Sequence, residues 1–344
     1  MNYQQILNKA SNELKLKNLK SPKLDSELIL AKTLNVRREE ILLNLNKKID
    51  KSDLIKFNYY LNMRSNHKPI AHIVNFKYFW KYKFFVDGNV LIPRPETELI
   101  IEKILKILPS SSNKNILDIG TGSGCIAISL IKERPDCRIT AIDKSKKAIK
   151  VAKKNAEMHQ VGKKVKFINI DVDKYLGNKY DLIISNPPYI KNSELLSLDK
   201  DVKLNEPKLA LSGGSSGLET LFKIINKCKM LLKINGKLIL EIGHKQGKEL
   251  SKYLTKVTCE ECKGSRLKKE ALSIKIDKCD INFVSQLSIE KALKWFQKLD
   301  KKLSSYQKEI ASNILKEIID RLSFLNNVGL NYLQLSRSSA TLSG

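Results

Sequence analysis

The chain lacks any charge-free apolar stretch approaching the ~20 residues that a membrane-spanning helix needs, which argues against a membrane role. Its start, MNYQQILNKASNELK, has no basic-then-apolar signal pattern, so nothing directs export. Cysteine is sparse: Cys125, Cys137, Cys228, Cys259, Cys262 and Cys279 are scattered along 344 residues. With no signal sequence, reduced thiols in a cytoplasm fit better than a disulfide framework. Arginine is scarcer still. The formal charge is +27, yet 54 of the 63 basic residues are lysine, spread through every segment. Base and phosphate recognition leans on arginine forks, so nucleic-acid binding is allowed but not favoured. Phosphate-loop chemistry is excluded, because no G-x-x-x-x-G-K-[ST] occurs.

What is present is a foldable core, with 42% hydrophobic residues arranged in three successive patterns. Residues 1–75 read as short amphipathic helices (YQQILNKASNELK, SELILAKTL, REEILLNL), with Ser21-Pro22 and Ser52 as starts. Residues 76–92, FKYFWKYKFFVDGNVLI, are aromatic and β-favouring; Asp87-Gly88 marks the turn of an expected β-hairpin linking two domains. From 93 to about 255, strands NILDI, RITAID, KVKFINID, YDLIIS and GKLILEIG alternate with helices. That alternation predicts an α/β fold with a doubly wound, mostly parallel sheet. Beyond 256 comes a mainly helical tail, with a long amphipathic helix at roughly 305–326.

In such sheets, ligands sit beyond the carboxyl ends of the strands. Three expected strand ends carry chemistry. LDIGTGSGCIAISL places Gly120, Gly122 and Gly124 between a strand and a helix, with Cys125 where a dinucleotide fingerprint would need glycine. Asp143 ends the next strand, where a carboxylate can take both ribose hydroxyls, and Asp171 ends the third, where it can accept from an adenine amino group. One strand-end aspartate is usually a helix cap; a glycine loop and two aspartates at consecutive ends fit an adenosine with a non-phosphate tail, S-adenosylmethionine.

The fourth end reads SNPPYI. An amide nitrogen is a poor nucleophile, so attack on a methyl sulfonium requires it to be held in line. The Asn186 side-chain oxygen and the Pro187 carbonyl can each accept a hydrogen from a substrate NH2. Pro187 and Pro188 limit the freedom of that carbonyl, and Tyr189 offers a ring face to a planar amide or base. The expected catalytic set is Asn186, Pro187 and Tyr189, with no metal called for.

These residues resemble the class I S-adenosylmethionine-dependent methyltransferases that modify planar amino groups. Within that class the chain is similar to the protein-release-factor glutamine methyltransferases (the PrmC/HemK family). HKPIAHIVNFKYF, FVDGNVLIPRPETELIIE, LDIGTGSGCIAISL, SNPPYI and NEPKLALSGGSSGL follow that family's pattern in order over residues 1 to about 255. The resemblance implies that Gly120, Thr121, Gly122, Ser123, Gly124, Asp143, Asp171, Val172 and Asn186 line the cofactor site. It implies that Asn186, Pro187, Pro188 and Tyr189, with Arg94 and Pro95 of LIPRPETE, meet a glutamine in a Gly-Gly-Gln loop of a peptide release factor. Val172 stands where the family commonly has an aromatic residue. Residues 1–75 would form the docking domain and 93–255 the catalytic domain of a monomeric, cytoplasmic enzyme. The alternatives are an amino-directed methyltransferase of nucleic acid, such as adenine N6, and a non-catalytic fragment related to DNA repair.

Two departures accompany the resemblance. Family-like sequence fades over residues 243–254, just where a full class I sheet would begin its two further strands, so those last strands are expected to be missing. Residues 257–344 instead resemble an internal piece of UvrA, the ATPase of excision repair, through CEECKGSRLKKEAL, LSIEKALKWF and ILKEIIDRLSFLNNVGLNYLQLSRSSATLSG. That resemblance implies a fused fragment, stopping at Leu342-Ser343-Gly344 inside a nucleotide-binding signature and without activity of its own. Cys259 and Cys262 form one C-x-x-C, but closed zinc sites take four ligands, and Cys279 alone does not complete the set.

Overall fold

In the computed structural model, residues 1–244, 246–251, 265, 267 and 269–336 are described. The chain divides into two compact units, residues 1–252 and 253–344.

The first unit opens with five helices: α1 (Tyr3–Leu16), α2 (Pro22–Leu34), α3 (Arg38–Leu43), α4 (Lys51–Ser65) and α5 (Ile70–Val74). The apolar spacing seen in sequence becomes a core of its own, with Leu14, Ile29, Leu30, Ile41 and Phe57 almost wholly buried. Asn2 caps α1 through a capping box with Gln5. The fourth helix starts at Lys51 after Asp50, just ahead of the expected Ser52.

The hairpin is β1 (Phe76–Phe79) and β2 (Tyr82–Phe85), paired Phe76 to Phe85 and Phe79 to Tyr82. Its turn is therefore Trp80-Lys81 rather than the expected Asp87-Gly88. Trp80 takes a left-handed conformation at φ 57°, normally unfavourable for a side-chain-bearing residue. Tertiary bonds hold it there: Trp80 N–H donates to Glu98 Oε1 at 2.9 Å, and its indole N–H to Glu133 Oε1 at 3.0 Å. Asp87 instead makes a local turn, its Oδ1 accepting from Asn89 N at 2.9 Å.

The α/β part of this unit runs α6 (Glu98–Ile107), β3 (Asn115–Ile119), α7 (Cys125–Glu133), β4 (Arg138–Asp143), α8 (Lys146–Met158), β5 (Val165–Asn169) and β6 (Tyr180–Ser185). Short elements follow: β7 (Ile190–Lys191), α9 (Lys200–Asn205), α10 (Lys208–Leu211) and β8 (Ser212–Gly214). Then come α11 (Glu219–Leu231), β9 (Leu232–Leu240) and α12 (Gly247–Ser251). The central sheet is parallel, in the order β5-β4-β3-β6-β9. From β3 the chain winds outward through β4 and β5, then returns to place β6 on the other side. The β3–β6 pair is thus the topological switch, the usual place for a ligand crevice. Runs buried on both faces, such as Leu182–Ile184, explain why these strands are central. The last strand, β9, starts earlier than the expected 236 because Leu232 already pairs with Tyr180 across a register shift.

In the second unit, α13 (Lys269–Ser273) is followed by a short antiparallel pair, β10 (Lys275–Ile276) with β11 (Cys279–Asp280). Helices α14 (Ile281–Gln286), α15 (Ile289–Leu299) and α16 (Ser305–Asn327) complete it, the last two closing a small core around Ile289, Ala292 and Leu322. Cys259, Cys262 and Leu342–Gly344 lie outside the described residues. Among the described residues, no helix is long and apolar enough to cross a membrane.

Candidate active site

The glycine loop between β3 and α7 needs its glycines. Gly120, Gly122 and Gly124 have φ of 74°, 56° and 79°, a region other residues enter at a cost. The neighbouring strand end fixes the loop. Gly120 and Thr121 donate to the Ile142 carbonyl at 2.9 and 3.0 Å, and Gly122 N–H donates to Asp143 Oδ2 at 2.9 Å. From behind, Asn155 Nδ2 donates to the Ser123 carbonyl at 2.9 Å.

In front of the loop lies a cavity of about 230 Å³ at the carboxyl ends of the strands. Gly120, Gly122, Asp143, Asp171, Val172 and Asn186 line it, as do Pro187 and Pro188. Thr121, Ser123 and Gly124 are not in its wall: Thr121 turns its hydroxyl down to Asp118 Oδ2 at 2.6 Å, Ser123 is buried, and Gly124 caps α7.

Charge around the cavity is mixed, with Asp143 and Asp171 set against Lys144 and Lys223. Burial raises the Asp143 carboxyl above its ordinary range, against backbone N–H bonds from Ser145 and Gly122. Asp171 goes the other way: partial burial pushes it up, but Lys144 Nζ at 3.0 Å and the Asp173 N–H outweigh this and hold it low. Beneath the loop, burial drives Asp118 to about 7 despite the Thr121 bond, and its Oδ1 is buried without a hydrogen-bond partner among the described residues. A Cβ on Gly120 would meet nothing within 4 Å, so backbone there faces open space. A glycine cradle with two flanking carboxylates fits an adenosyl group.

Asn186 follows β6 at the switch point. Its Nδ2 donates to Thr97 Oγ1 at 2.9 Å. Pro187 is buried, and Gly213 packs so closely behind that an added Cβ would lie 2.8 Å from the Pro188 carbonyl oxygen. Tyr189 stays out of the cavity wall; its ring packs against Leu218, Leu221 and Leu250, and its hydroxyl points to Glu241 Oε1 at 3.5 Å. Gln246 ties this loop to the end of the sheet, Nε2 donating to the carbonyls of Tyr189 at 3.1 Å and Gly217 at 2.9 Å. Arg94 and Pro95 are also outside the wall. Arg94 Nη2 instead pairs with buried Glu206 Oε1 at 2.7 Å, joining LIPRPETE to NEPKLAL, while Pro95 opens a 3-10 turn, Pro95–Thr97. Sequence reading missed Thr97, Glu241 and Gln246 as partners of the Asn186–Tyr189 loop. Thr97 at least lay inside a motif singled out.

Residues 5–74 match the family model of the PrmC N-terminal domain, and residues 97–202 that of the methyltransferase small domain. The release factor glutamine methyltransferase of Buchnera aphidicola subsp. Baizongia pistaciae is 39% identical over 254 residues, covering 72% of this chain and 91% of that protein. That of Nitratidesulfovibrio vulgaris is 37% identical over 254 residues, covering 73% of this chain and 86% of that protein. A bifunctional methyltransferase of Rickettsia typhi is 37% identical over 265 residues, 72% of this chain and 51% of the relative. The chain thus spans about half the length of the bifunctional relatives it matches.

Proposed function

The chain belongs to the release factor glutamine methyltransferase family, and from that premise we propose that it methylates the side-chain amide nitrogen of the glutamine in the Gly-Gly-Gln loop of a peptide release factor. S-adenosylmethionine, when bound, supplies an electrophilic methyl group. The remaining work falls to the chain's own residues. Gly120 and Gly122 open the cradle, while Asp143 and Asp171 offer acceptors to ribose and adenine. Asn186 Oδ1 and the Pro187 carbonyl accept hydrogen bonds from the substrate NH2, turning its lone pair toward the methyl group; as the N–CH3 bond forms the S–CH3 bond breaks, S-adenosylhomocysteine leaves and one N–H proton passes to water. Tyr189 and Arg94, outside the cofactor wall, would steady the loops around the substrate, Arg94 through its pair with Glu206, and the helical domain α1–α5 would offer the docking surface. The setting would be the cytoplasm.

The observation that carries this reading is the place of Asn186, on the cavity wall at the β3–β6 switch with its Nδ2 already engaged by Thr97. The test is transfer of label from radioactive S-adenosylmethionine to an unmodified release factor. Label should require the Gly-Gly-Gln glutamine, and Asn186→Ala should cut the rate roughly 10²-fold, as for loss of one oriented polar group in an active site. Label on DNA in preference to the release factor, or label surviving replacement of that glutamine, would sink the proposal.

A further inference from the structure

We propose that Glu241 is a positioning residue that, acting through Thr97, fixes which end of the Asn186 carboxamide faces the substrate. This rests on the reading of Asn186 as acceptor of the substrate amide. The two ends of a carboxamide have nearly the same shape but opposite hydrogen-bond character. Only Oδ1 can accept from a substrate NH2; flipped, Asn186 would aim two donors at two donors. Something must hold Nδ2 on the protein side.

Sheet order supplies it. Glu241 directly follows β9, and its N–H donates to the Ser185 carbonyl at 3.0 Å, so its side chain rises beside Asn186, the residue after Ser185. Burial raises the Glu241 carboxyl above its ordinary range, while Thr97, Asn186 and Tyr189 beside it favour the charged form. The Tyr189 hydroxyl reaches Oε1, while Oε2 is buried without a hydrogen-bond partner among the described residues. A carboxylate only accepts. A threonine hydroxyl has one hydrogen; drawn toward Glu241, it leaves only lone pairs for Asn186. Nδ2 must then be the end that meets Thr97, as the 2.9 Å bond has it, and Oδ1 is left for the substrate. Thr97 is itself buried, so water cannot substitute as the acceptor. A buried carboxylate oxygen is costly to leave unpaired, so Oε2 is the acceptor to which the Thr97 hydroxyl, already accepting from Nδ2, would turn its own hydrogen.

The test uses the full chain with Glu241→Gln, Thr97→Val and Thr97→Ser, in two arms. In steady-state methyl transfer to a release factor, E241Q and T97V should lose at least tenfold in kcat, with KM for S-adenosylmethionine within twofold of wild type. T97S, which keeps the hydroxyl, should recover most of what T97V loses. In the second arm, 15N NMR follows solvent exchange of the Asn186 carboxamide protons. Exchange should be slow in wild type and at least tenfold faster in E241Q and T97V. Wild-type exchange and kcat in E241Q would overturn the assignment, as would a loss of cofactor affinity parallel to the loss of kcat, which a merely supporting role predicts. If wild type transfers no label, the functional reading fails while the exchange arm still decides the role of Glu241.

Discussion

Asn155 sits on α8, away from the cavity, and is completely buried. Its Oδ1 accepts from Phe85 N at 2.7 Å, and its Nδ2 donates to the carbonyls of Phe85 at 3.0 Å and Ser123 at 2.9 Å. One side chain therefore ties the aromatic hairpin to the back of the glycine loop. Asn155→Ala strands all three partners. The Ser123 carbonyl is buried and should cost about 1–3 kcal/mol, and the two part-buried Phe85 groups about 0.5–1 kcal/mol each. The total is roughly 2–5 kcal/mol, or about 4–20 °C in Tm for a unit of this size. Asn155→Asp sharpens the argument. It keeps an acceptor for Phe85 N–H but sets carboxylate oxygen against two carbonyl oxygens, so it should be no more stable than the alanine variant. Because the chain has two units, a global melt mixes them. The protein's two tryptophans, Trp80 in the hairpin and Trp295 in the second unit, allow separation: in a Trp295→Phe background, Trp80 fluorescence during urea unfolding reports on the first unit alone. An N155D variant as stable as wild type, or an N155A loss under about 1 kcal/mol, would refute the reasoning. The hairpin would then be held by the apolar packing of Phe79 and Phe84.

Two further predictions concern the loops around the cavity. Gly213→Ala would put a methyl group 2.7 Å from the Gly217 carbonyl oxygen and 2.8 Å from Tyr189 Cα, so overpacking of about 1–3 kcal/mol should shift the Asn186–Tyr189 loop. Methyl transfer should drop at least tenfold with little change in secondary structure by circular dichroism, and unchanged kinetics would count against this packing. Asp118 supplies a pH signature, since its carboxyl rises from 3.8 unfolded to about 7 folded. The folded state then holds the proton longer, so this contribution is full below the unfolded pKa and is lost as pH rises through about 7. Wild type should lose on the order of 2–3 kcal/mol relative to Asp118→Asn between pH 5 and pH 8, and parallel stability–pH curves would refute it.

Legibility followed the range of the forces involved. The strands β3, β4 and β6 were readable to the residue because continuous apolar runs admit little else in a sheet covered on both faces. The hairpin turn was not. Asp87-Gly88 carries the stronger local signal, but Trp80 is held in its left-handed conformation by Glu98 and Glu133, the second more than fifty positions away in sequence.

The cavity divides along the same line. Gly120, Gly122, Asp143, Asp171, Val172 and Asn186 reach the wall together because each sits at or just beyond a strand end, and parallel strands bring such ends to one edge of the sheet. Their supports obey no such local rule. Glu241 meets Asn186 only because β9 pairs with β6, and Thr97 only because the LIPRPETE turn crosses the same edge. Ser123 is held from α8, and Pro188 is braced by Gly213. A residue that touches a ligand is confined to the few backbone positions that can reach it, so its spacing repeats the fold. A residue that holds such a residue in place can come from any element the tertiary structure brings near, and its spacing in sequence carries no trace of that. That is why EIGHKQ reads as an ordinary strand end, while in the folded chain its glutamate and glutamine face Asn186 and Tyr189.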